Sequence, residues 1–134
     1  MLKSFRELQV WEKAHALALD IYRVMNTFPD RERFGIGAQL RRAATSIPAN
    51  IAEGFGRRTT KELLQSLTIS NGSLEETRYF LILSSDLHYM STDDYDRLDR
   101  QCNSIAQMLS ALARSLKNRA GIIHGTRATQ HGSR

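Results

Sequence analysis

The sequence predicts an all-α protein, an up-down-up-down antiparallel four-helix bundle with a kinked second helix. Apolar residues recur every three or four positions along four segments, and no segment alternates in polarity as a strand does. Glycine and proline are scarce, with 8 and 2 among 134 residues, and several of them mark segment ends. The connections between segments are short, which favours antiparallel packing of consecutive helices.

The first helix is predicted from a long apolar stripe that stops at Phe28-Pro29-Asp30. Its core positions are Val10, Ala14, Leu17, Ile21, Val24 and Phe28. A second stripe is formed by Trp11, Ala18, Tyr22 and Met25. The two stripes together span an arc of about 160°, wider than the stripe that one surface helix needs to bury.

The second helix is expected to begin between Asp30 and Gly37 and to end near Gly54 or Gly56. Its core positions are Leu40, Ala44, Ile47, Ile51 and Phe55. Pro48 lies inside this helix, where proline removes a backbone hydrogen bond, and we therefore expect the kink at this residue.

The third helix is predicted to start at Thr59 or Thr60, because Thr59 and Glu62 form a capping-box pattern, and to run to about His88. Its core seam alternates leucine with small hydroxyl residues: Leu63, Leu67, Ser70, Leu74, Thr77, Leu81 and Ser84. Small residues in a seam allow a neighbouring helix to approach closely. A second apolar edge is formed by Phe80, Leu83 and Leu87.

The fourth helix begins at Ser91 or Thr92, with acidic residues in its first turn as the helix dipole favours. Its core seam is Tyr95, Leu98, Cys102, Ile105, Leu109, Leu112 and Leu116. We expect the bundle to occupy residues 1–118 and residues 119–134 to form a basic, disordered tail.

Composition restricts the class of protein. A chain of 134 residues forms one domain, and it contains neither a signal-peptide core nor an apolar run long enough to cross a membrane. A single cysteine fits a reducing compartment, so the predicted location is the cytoplasm. The net charge of +5 divides into +5 for residues 1–61, −3 for 62–118 and +3 for 119–134. This asymmetry favours an anionic partner or contact between oppositely charged faces, although ordinary solvated faces with a basic tail would give the same pattern.

The residues that carry chemistry do not form a catalytic pattern, and we predict no enzyme activity, no cofactor and no metal site. A di-iron bundle needs two Glu-x-x-His motifs, whereas this chain has one, at Glu12 and His15. His15 borders the apolar arc beside Trp11, a position typical of packing rather than of metal ligation. Cys102 lies in the core seam, where we expect an inert thiol.

The second helix also carries a polar face opposite its core seam. The face contains Gln39, Ser46, Asn50 and Glu53, and the basic residues on or beside it are Arg41, Arg42, Arg57, Arg58 and Lys61. Arginine side chains suit phosphate geometry, so this face is a candidate surface for nucleic acid or for an acidic protein partner. The simpler interpretation is a solvated helix face with one Glu53–Arg57 pair.

The apolar surface exceeds what one bundle core needs, and excess apolar surface is typical of an interface. The candidate oligomer-interface residues are Trp11, Tyr22, Met25, Phe80, Leu83 and Leu87. The alternative is that these side chains pack beneath the N-terminal segment and the loops.

Four short segments of this sequence resemble one bacterial family. They are the segments 5–11 (FRELQVW), 39–44 (QLRRAA), 46–54 (SIPANIAEG) and 72–74 (GSL). The resemblance is to the four-helix-bundle proteins named after intervening sequences of 23S ribosomal RNA genes, and it spans residues 5–118. It implies an up-down bundle that assembles as a homopentameric ring without established enzyme activity. A related group that binds nucleic acid through a basic surface makes nucleic-acid binding an analogy at the level of the fold. Two departures are His88, where members often have glycine, and Glu76-Thr77.

Two functional hypotheses follow. In the first, the chain is a homo-oligomeric, pentameric scaffold that binds RNA or DNA through its basic residues. In the second, it is a purely structural module whose partners are its own copies or another protein, with no nucleic acid and no membrane involved.

Overall fold

The protein is described by a computed structural model that gives the backbone of residues 2–130 and the side chains of residues 2–119. Within these residues there are four α-helices and no strand. The helices are α1 (Gln9–Val24), α2 (Ile36–Phe55), α3 (Thr60–Asp86) and α4 (Thr92–Gln130). Short 3-10 turns precede α1 and connect it to α2. The predicted all-α class is therefore confirmed.

Each helix packs against two neighbours, so the four helices surround one core. α1 contacts α2 and α4, and α3 contacts the same two helices. The connections between α2 and α3 and between α3 and α4 are only a few residues long, which makes consecutive helices antiparallel. The predicted up-down-up-down bundle is the observed architecture.

The core is built from the predicted seams. Its buried members include Leu17 and Ile21 of α1, Leu40 and Ile47 of α2, Leu74 and Leu81 of α3, and Leu98 and Ile105 of α4. These side chains are at most 1% exposed. At the ends of the seams, Phe28, Leu63, Tyr95 and Leu112 are only partly buried and pack against this core.

The α2–α3 contact is close because small residues line it. The Ser70 hydroxyl donates a hydrogen bond of 2.8 Å to the backbone carbonyl of Ile47 on α2. A Cβ atom placed on Gly54 of α2 would lie 2.6 Å from Cβ of Ser66 on α3. The alternation of leucine with small hydroxyl residues therefore has the expected consequence: the two backbones approach each other closely.

Pro48 lies within α2, and the helix continues on both sides of it. The proline ring is buried, and its neighbour Ile47 uses its carbonyl oxygen to accept the bond from Ser70. The carbonyl that loses its helical donor at Pro48 is that of Ala44, so the Ser70 bond to Ile47 joins α3 to α2 without replacing the bond that proline removes. The kink itself remains a prediction.

Helices α1 and α4 are joined by a buried carboxylate. Asp20 of α1 is 5% exposed and accepts hydrogen bonds from Arg97 at 2.9 Å and from Gln101 at 2.7 Å, both on α4. Arg23 also donates to Asp20, at 2.8 Å. The Arg97 guanidinium, opposed by burial, lowers the pKa of Asp20 to about 2. The charged carboxylate therefore stabilises the pairing of the first and last helices.

The end of α3 is a Schellman motif centred on His88. The backbone N–H of Tyr89 bonds to the carbonyl of Ser84, and that of His88 bonds to the carbonyl of Ser85, both at 2.9 Å. His88 has a φ of 62°, the left-handed conformation that glycine adopts without strain. Position 88 is thus one where the backbone favours glycine.

Replacing His88 with glycine is expected to stabilise the protein by at most about 1 kcal/mol, because the strain of a left-handed non-glycine residue disappears. Thermal unfolding followed by circular dichroism would show a melting temperature a few degrees higher. His88→Ala is the matched control: it keeps the Cβ atom, so it should give no such gain. An equal rise for both variants would contradict the backbone explanation.

Helix α4 continues to Gln130, past the end predicted near residue 118. Residues 131–134 of the predicted tail, and all side chains beyond Arg119, lie outside the described residues. The division into a bundle of residues 1–118 and a disordered tail of residues 119–134 stays a prediction.

Candidate functional site

The first half of α2 carries Arg41 and Arg42, and both have partners within the chain. Arg41 donates a hydrogen bond of 3.0 Å to the backbone carbonyl of Arg33. Arg42 donates to the side-chain oxygen of Gln39 at 3.0 Å and forms an ion pair with Glu76 of α3. Two of the five predicted basic residues therefore take part in tertiary contacts.

The middle of the polar face packs against α3. The hydroxyls of Ser46 and Ser73 share a hydrogen bond of 2.8 Å. The Asn50 amide donates to the backbone carbonyl and the hydroxyl of Ser46, at 2.8 and 2.9 Å. Both Ser46 and Asn50 are half-buried. This part of the predicted face is a polar helix–helix contact.

The end of α2 and the start of α3 carry the other three basic residues, all exposed. Arg57 lies 3.6 Å from the carboxylate of Glu53 on the same face of α2, as the sequence spacing suggested. Neither Arg58 nor Lys61 forms an ion pair with any of the residues that the structure describes. Arg42 is exposed as well, but it is held by Glu76 of another helix, whereas Arg57 faces only Glu53, four residues before it.

The structure does not bring the five basic residues into one cluster. Arg41 lies in the second turn of α2 and Arg57 lies just past its end at Phe55, and the fourteen residues of helix from Arg41 to Phe55 span about 21 Å at 1.5 Å per residue. The two groups therefore lie at opposite ends of the bundle.

A largely apolar groove runs between α1 and α2, with a volume of about 430 Å³. Among the residues that line it are Trp11, Leu19, Tyr22, Pro48 and Ala49. Leu19 and Tyr22 are 54% and 49% exposed. Two predicted interface residues, Trp11 and Tyr22, thus lie in one surface depression.

A second depression of about 500 Å³ follows at the loop between α1 and α2, and Tyr22 lines both. It contains Met25, which packs partly against the core, and Phe34, whose side chain is 87% exposed. The exposed apolar surface therefore continues from the groove to the start of α2.

Helix α3 and its C-terminal cap expose apolar side chains in addition to those predicted as interface residues. Phe80 packs against the core and Leu83 is half-buried, whereas Leu87 is 46% exposed. The large apolar side chains most exposed on this helix are Ile69, Tyr79 and Ile82, at 54%, 57% and 46%. We call these three residues the α3 ridge.

The α3 ridge, Leu19 and Phe34 were not identified from the sequence as exposed apolar surface. Helical periodicity assigns the strongest apolar stripe of each helix to the core and leaves the remaining apolar residues unassigned. A usable signal was present: Tyr79 and Ile82 are three residues apart and lie on one side of the helix, away from the Leu74 and Leu81 seam.

Cys102 and His15, the two residues considered above for catalysis or metal binding, have packing roles in the structure. Burial raises the pKa of the Cys102 thiol to about 12, as expected of a core cysteine. His15 stacks on Trp11 with ring centroids 5.0 Å apart, the packing role predicted for it. Among the described residues, no group of three His, Cys, Asp or Glu side chains is arranged to hold a metal ion.

Comparison with known proteins agrees with this architecture. Residues 6–111 match the sequence profile of the 23S rRNA-intervening sequence proteins. The chain also superimposes, with a TM-score of 0.72 and 24% identity, on a crystal structure from Bacteroides thetaiotaomicron. That structure is of a protein with unknown function from the S23 ribosomal protein family, and the match covers 78% of this chain and 97% of the other. At this identity the likeness supports the fold alone.

A search of curated proteins found no match. Within the described residues, no helix has the length and apolar character that crossing a membrane requires.

Proposed function

Because this chain belongs to the 23S rRNA-intervening sequence protein family, a family whose members form a helical bundle, we propose that it is a non-enzymatic, cytoplasmic, homo-oligomeric scaffold. The proposed assembly is a ring of five copies, as the family resemblance implies. The observation that carries the proposal is the large apolar surface left outside a complete core. Leu19, Tyr22, Phe34 and the α3 ridge are all roughly half exposed or more.

Two different apolar faces favour head-to-tail contact between copies. The α1–α2 groove is concave and meets, at Tyr22, a depression that Arg41 lines. Tyr79 and Ile82 of the α3 ridge are exposed, and the exposed carboxylates Glu75 and Asp86 lie on the same side of that helix. Contact between groove and ridge would bring opposite charges together. Contact between two identical faces would oppose like charges. Head-to-tail contacts form rings when the rotation between copies closes.

Light scattering on single variants tests the proposed contact. Ala49→Arg places a long charged side chain in the groove, and Tyr79→Arg places one on the α3 ridge; both positions are exposed, so the fold should tolerate them. We expect the wild type to have a mass near five times 15.2 kDa, and each variant alone to be monomeric. Gln107→Arg, at an exposed position on α4, is the matched control and should keep the wild-type mass.

Mixing the two variants provides the decisive result. Ala49→Arg keeps an intact α3 ridge, and Tyr79→Arg keeps an intact groove. An equimolar mixture can therefore form one groove-to-ridge contact and should give a one-to-one dimer. A mixture that stays monomeric at concentrations where the wild type assembles would disprove groove-to-ridge contact. A wild-type protein that remains at 15.2 kDa over the whole concentration range would disprove the scaffold itself.

The second part of the proposal concerns nucleic acid. Arg41 and Arg42 are held by tertiary contacts with Arg33 and Glu76, whereas Arg58 and Lys61 form no ion pair among the described residues and Arg57 faces only Glu53, four residues before it, at 3.6 Å. The basic residues that support binding of RNA or DNA are therefore Arg57, Arg58 and Lys61. In the competing function, a structural module without nucleic acid, these residues would meet an acidic surface of another copy or of another protein. The two functions differ in one observable, because only the first gives salt-dependent binding of RNA or DNA.

A further inference from the structure

The antiparallel topology places two separate basic segments at the same end of the bundle. α2 ends and α3 begins at this end, and α4 runs towards it. A shallow pocket lined by Leu64 and Leu67 of α3 together with Ala113 and Lys117 of α4 shows that the first turns of α3 lie beside residues 109–117. The basic residues near residue 60 and those near residue 117 are therefore neighbours in space, although they are far apart in sequence.

This end of the bundle has a marked excess of positive charge. The α2–α3 connection, the start of α3 and the last described turns of α4 place six cationic side chains here, all exposed: Arg57, Arg58, Lys61, Arg114, Lys117 and Arg119. We call these six residues the basic end. The start of the chain lies at the same end, and residues 2–12 add Lys3 and Arg6 with Glu7 and Glu12, a net charge of zero. Segment 110–119 contains no acidic residue, and segment 53–62 contains two, Glu53 and Glu62. Glu53 faces Arg57, and Glu62 accepts a hydrogen bond from the Thr59 cap. The local charge is positive after both acids are counted.

The other end of the bundle has a negative net charge. Two connections meet there, joined by the hydrogen bond from the Tyr89 hydroxyl to Glu32. Segment 86–96 carries four aspartates and no lysine or arginine, and segment 23–35 carries three arginines against Asp30 and Glu32, so together they have a net charge of −3. The charge of the described side chains is therefore unevenly distributed along the bundle axis, positive at one end and negative at the other. Such a field steers a polyanion towards the basic end and orients it there.

We propose that the basic end is a binding site for the phosphodiester backbone of a nucleic acid, formed jointly by the α2–α3 connection and the last described turns of α4. This inference rests on the nucleic-acid part of the proposed function and adds α4 to the site. Three of its six cations are arginine or lysine residues of α4 that sequence patterns had not assigned to any site. One arginine guanidinium group can donate two parallel hydrogen bonds to a phosphate, and a lysine ammonium group acts as a point charge.

The chemistry predicts contact with the backbone rather than with base edges. No Phe, Tyr or Trp lies in segments 56–62 or 110–119, so neither segment supplies a ring on which a base could stack. Binding should therefore depend strongly on salt and weakly on sequence.

The test measures the salt dependence of binding to a short fluorescently labelled RNA by anisotropy. One variant removes two charges from α4 (Arg114→Gln with Lys117→Gln), and a second removes two from the α2–α3 connection (Arg58→Gln with Lys61→Gln). The control, Lys13→Gln with Arg100→Gln, removes two exposed cations from the side of the bundle between α1 and α4. All three variants have the same net charge.

For each variant of the basic end, we expect the slope of log affinity against log salt to become less negative by about 2, because roughly one contact is lost per cation. The control should keep the wild-type slope. An α4 variant that binds like the wild type would overturn the joint site while leaving the α2–α3 residues as the proposed surface. Equal losses in the control and the α4 variant would also overturn it. A wild-type protein that binds no RNA at low salt would refute the nucleic-acid part of the proposed function itself.

Discussion

Replacing Gly54 with alanine is expected to lower the free energy of unfolding by about 2 kcal/mol, within the range observed for overpacked cores. The new Cβ atom would lie 2.6 Å from Cβ of Ser66 and 3.0 Å from Cδ1 of Leu63. The Ser66 Cβ is bonded directly to the α3 backbone, so α2 and α3 must move apart to accommodate it. Urea denaturation at fixed subunit concentration measures the loss.

Gly72→Ala is the matched control, because it makes the same chemical change on an open helix surface. No atom outside the local helix lies within 4 Å of a Cβ placed there. Alanine favours a helix over glycine by about 1 kcal/mol, so this variant should be more stable than the wild type. A lower free energy of unfolding for Gly54→Ala together with a higher one for Gly72→Ala would establish close α2–α3 packing. A Gly54→Ala protein as stable as the wild type would contradict it.

Replacing Asp20 with asparagine is expected to remove at most about 2 to 3 kcal/mol of stability at neutral pH, because the pKa of Asp20 falls from 3.8 to about 2 on folding. Arg97 is 41% exposed, and solvent screening reduces the value below this limit. The loss arises because asparagine keeps the shape of the side chain but lacks the charge that Arg97 pairs with.

The stability that the charged Asp20 contributes should also depend on pH, and the lowered pKa fixes the direction of that dependence. A carboxyl group with a lowered pKa in the folded state contributes its full stability above pH 3.8, and this contribution disappears as the pH falls to about 2. The wild type should therefore lose more stability than Asp20→Asn between pH 4 and pH 2. Asp96→Asn, at an exposed position on α4, is the control and should follow the wild type. Parallel curves for wild type and Asp20→Asn would argue against the charged pair.

The sequence predicted the four helices and their seams because each depends on local periodicity and capping. The Thr59 cap is an example: its hydroxyl accepts from the backbone of Glu62 at 3.1 Å, as the capping-box pattern required. Asp20 was not identified, because its main partner Arg97 is 77 residues away and on another helix. The partners of Arg41 and Arg42 were missed for the same reason, since they are set by tertiary packing.

The candidate surfaces were only partly predictable. Trp11 and Tyr22 were identified from the width of the apolar arc on α1, and both line the groove. Tyr79 was not, because one exposed aromatic residue does not alter the periodicity of α3. The separation of Arg41 from Arg57 follows from helix rise alone. The proximity of Lys61 to Lys117 required the arrangement of the helices.

The buried position of Cys102 makes the protein convenient for labelling. With its only thiol enclosed in the core and its pKa raised to about 12, the folded chain presents no reactive sulfur to solvent. Copies of the chain therefore lack an accessible thiol for accidental cross-linking, and any assembly isolated under native conditions is held by noncovalent forces. A cysteine introduced at the protein surface could carry a fluorophore or spin probe without first removing the native one.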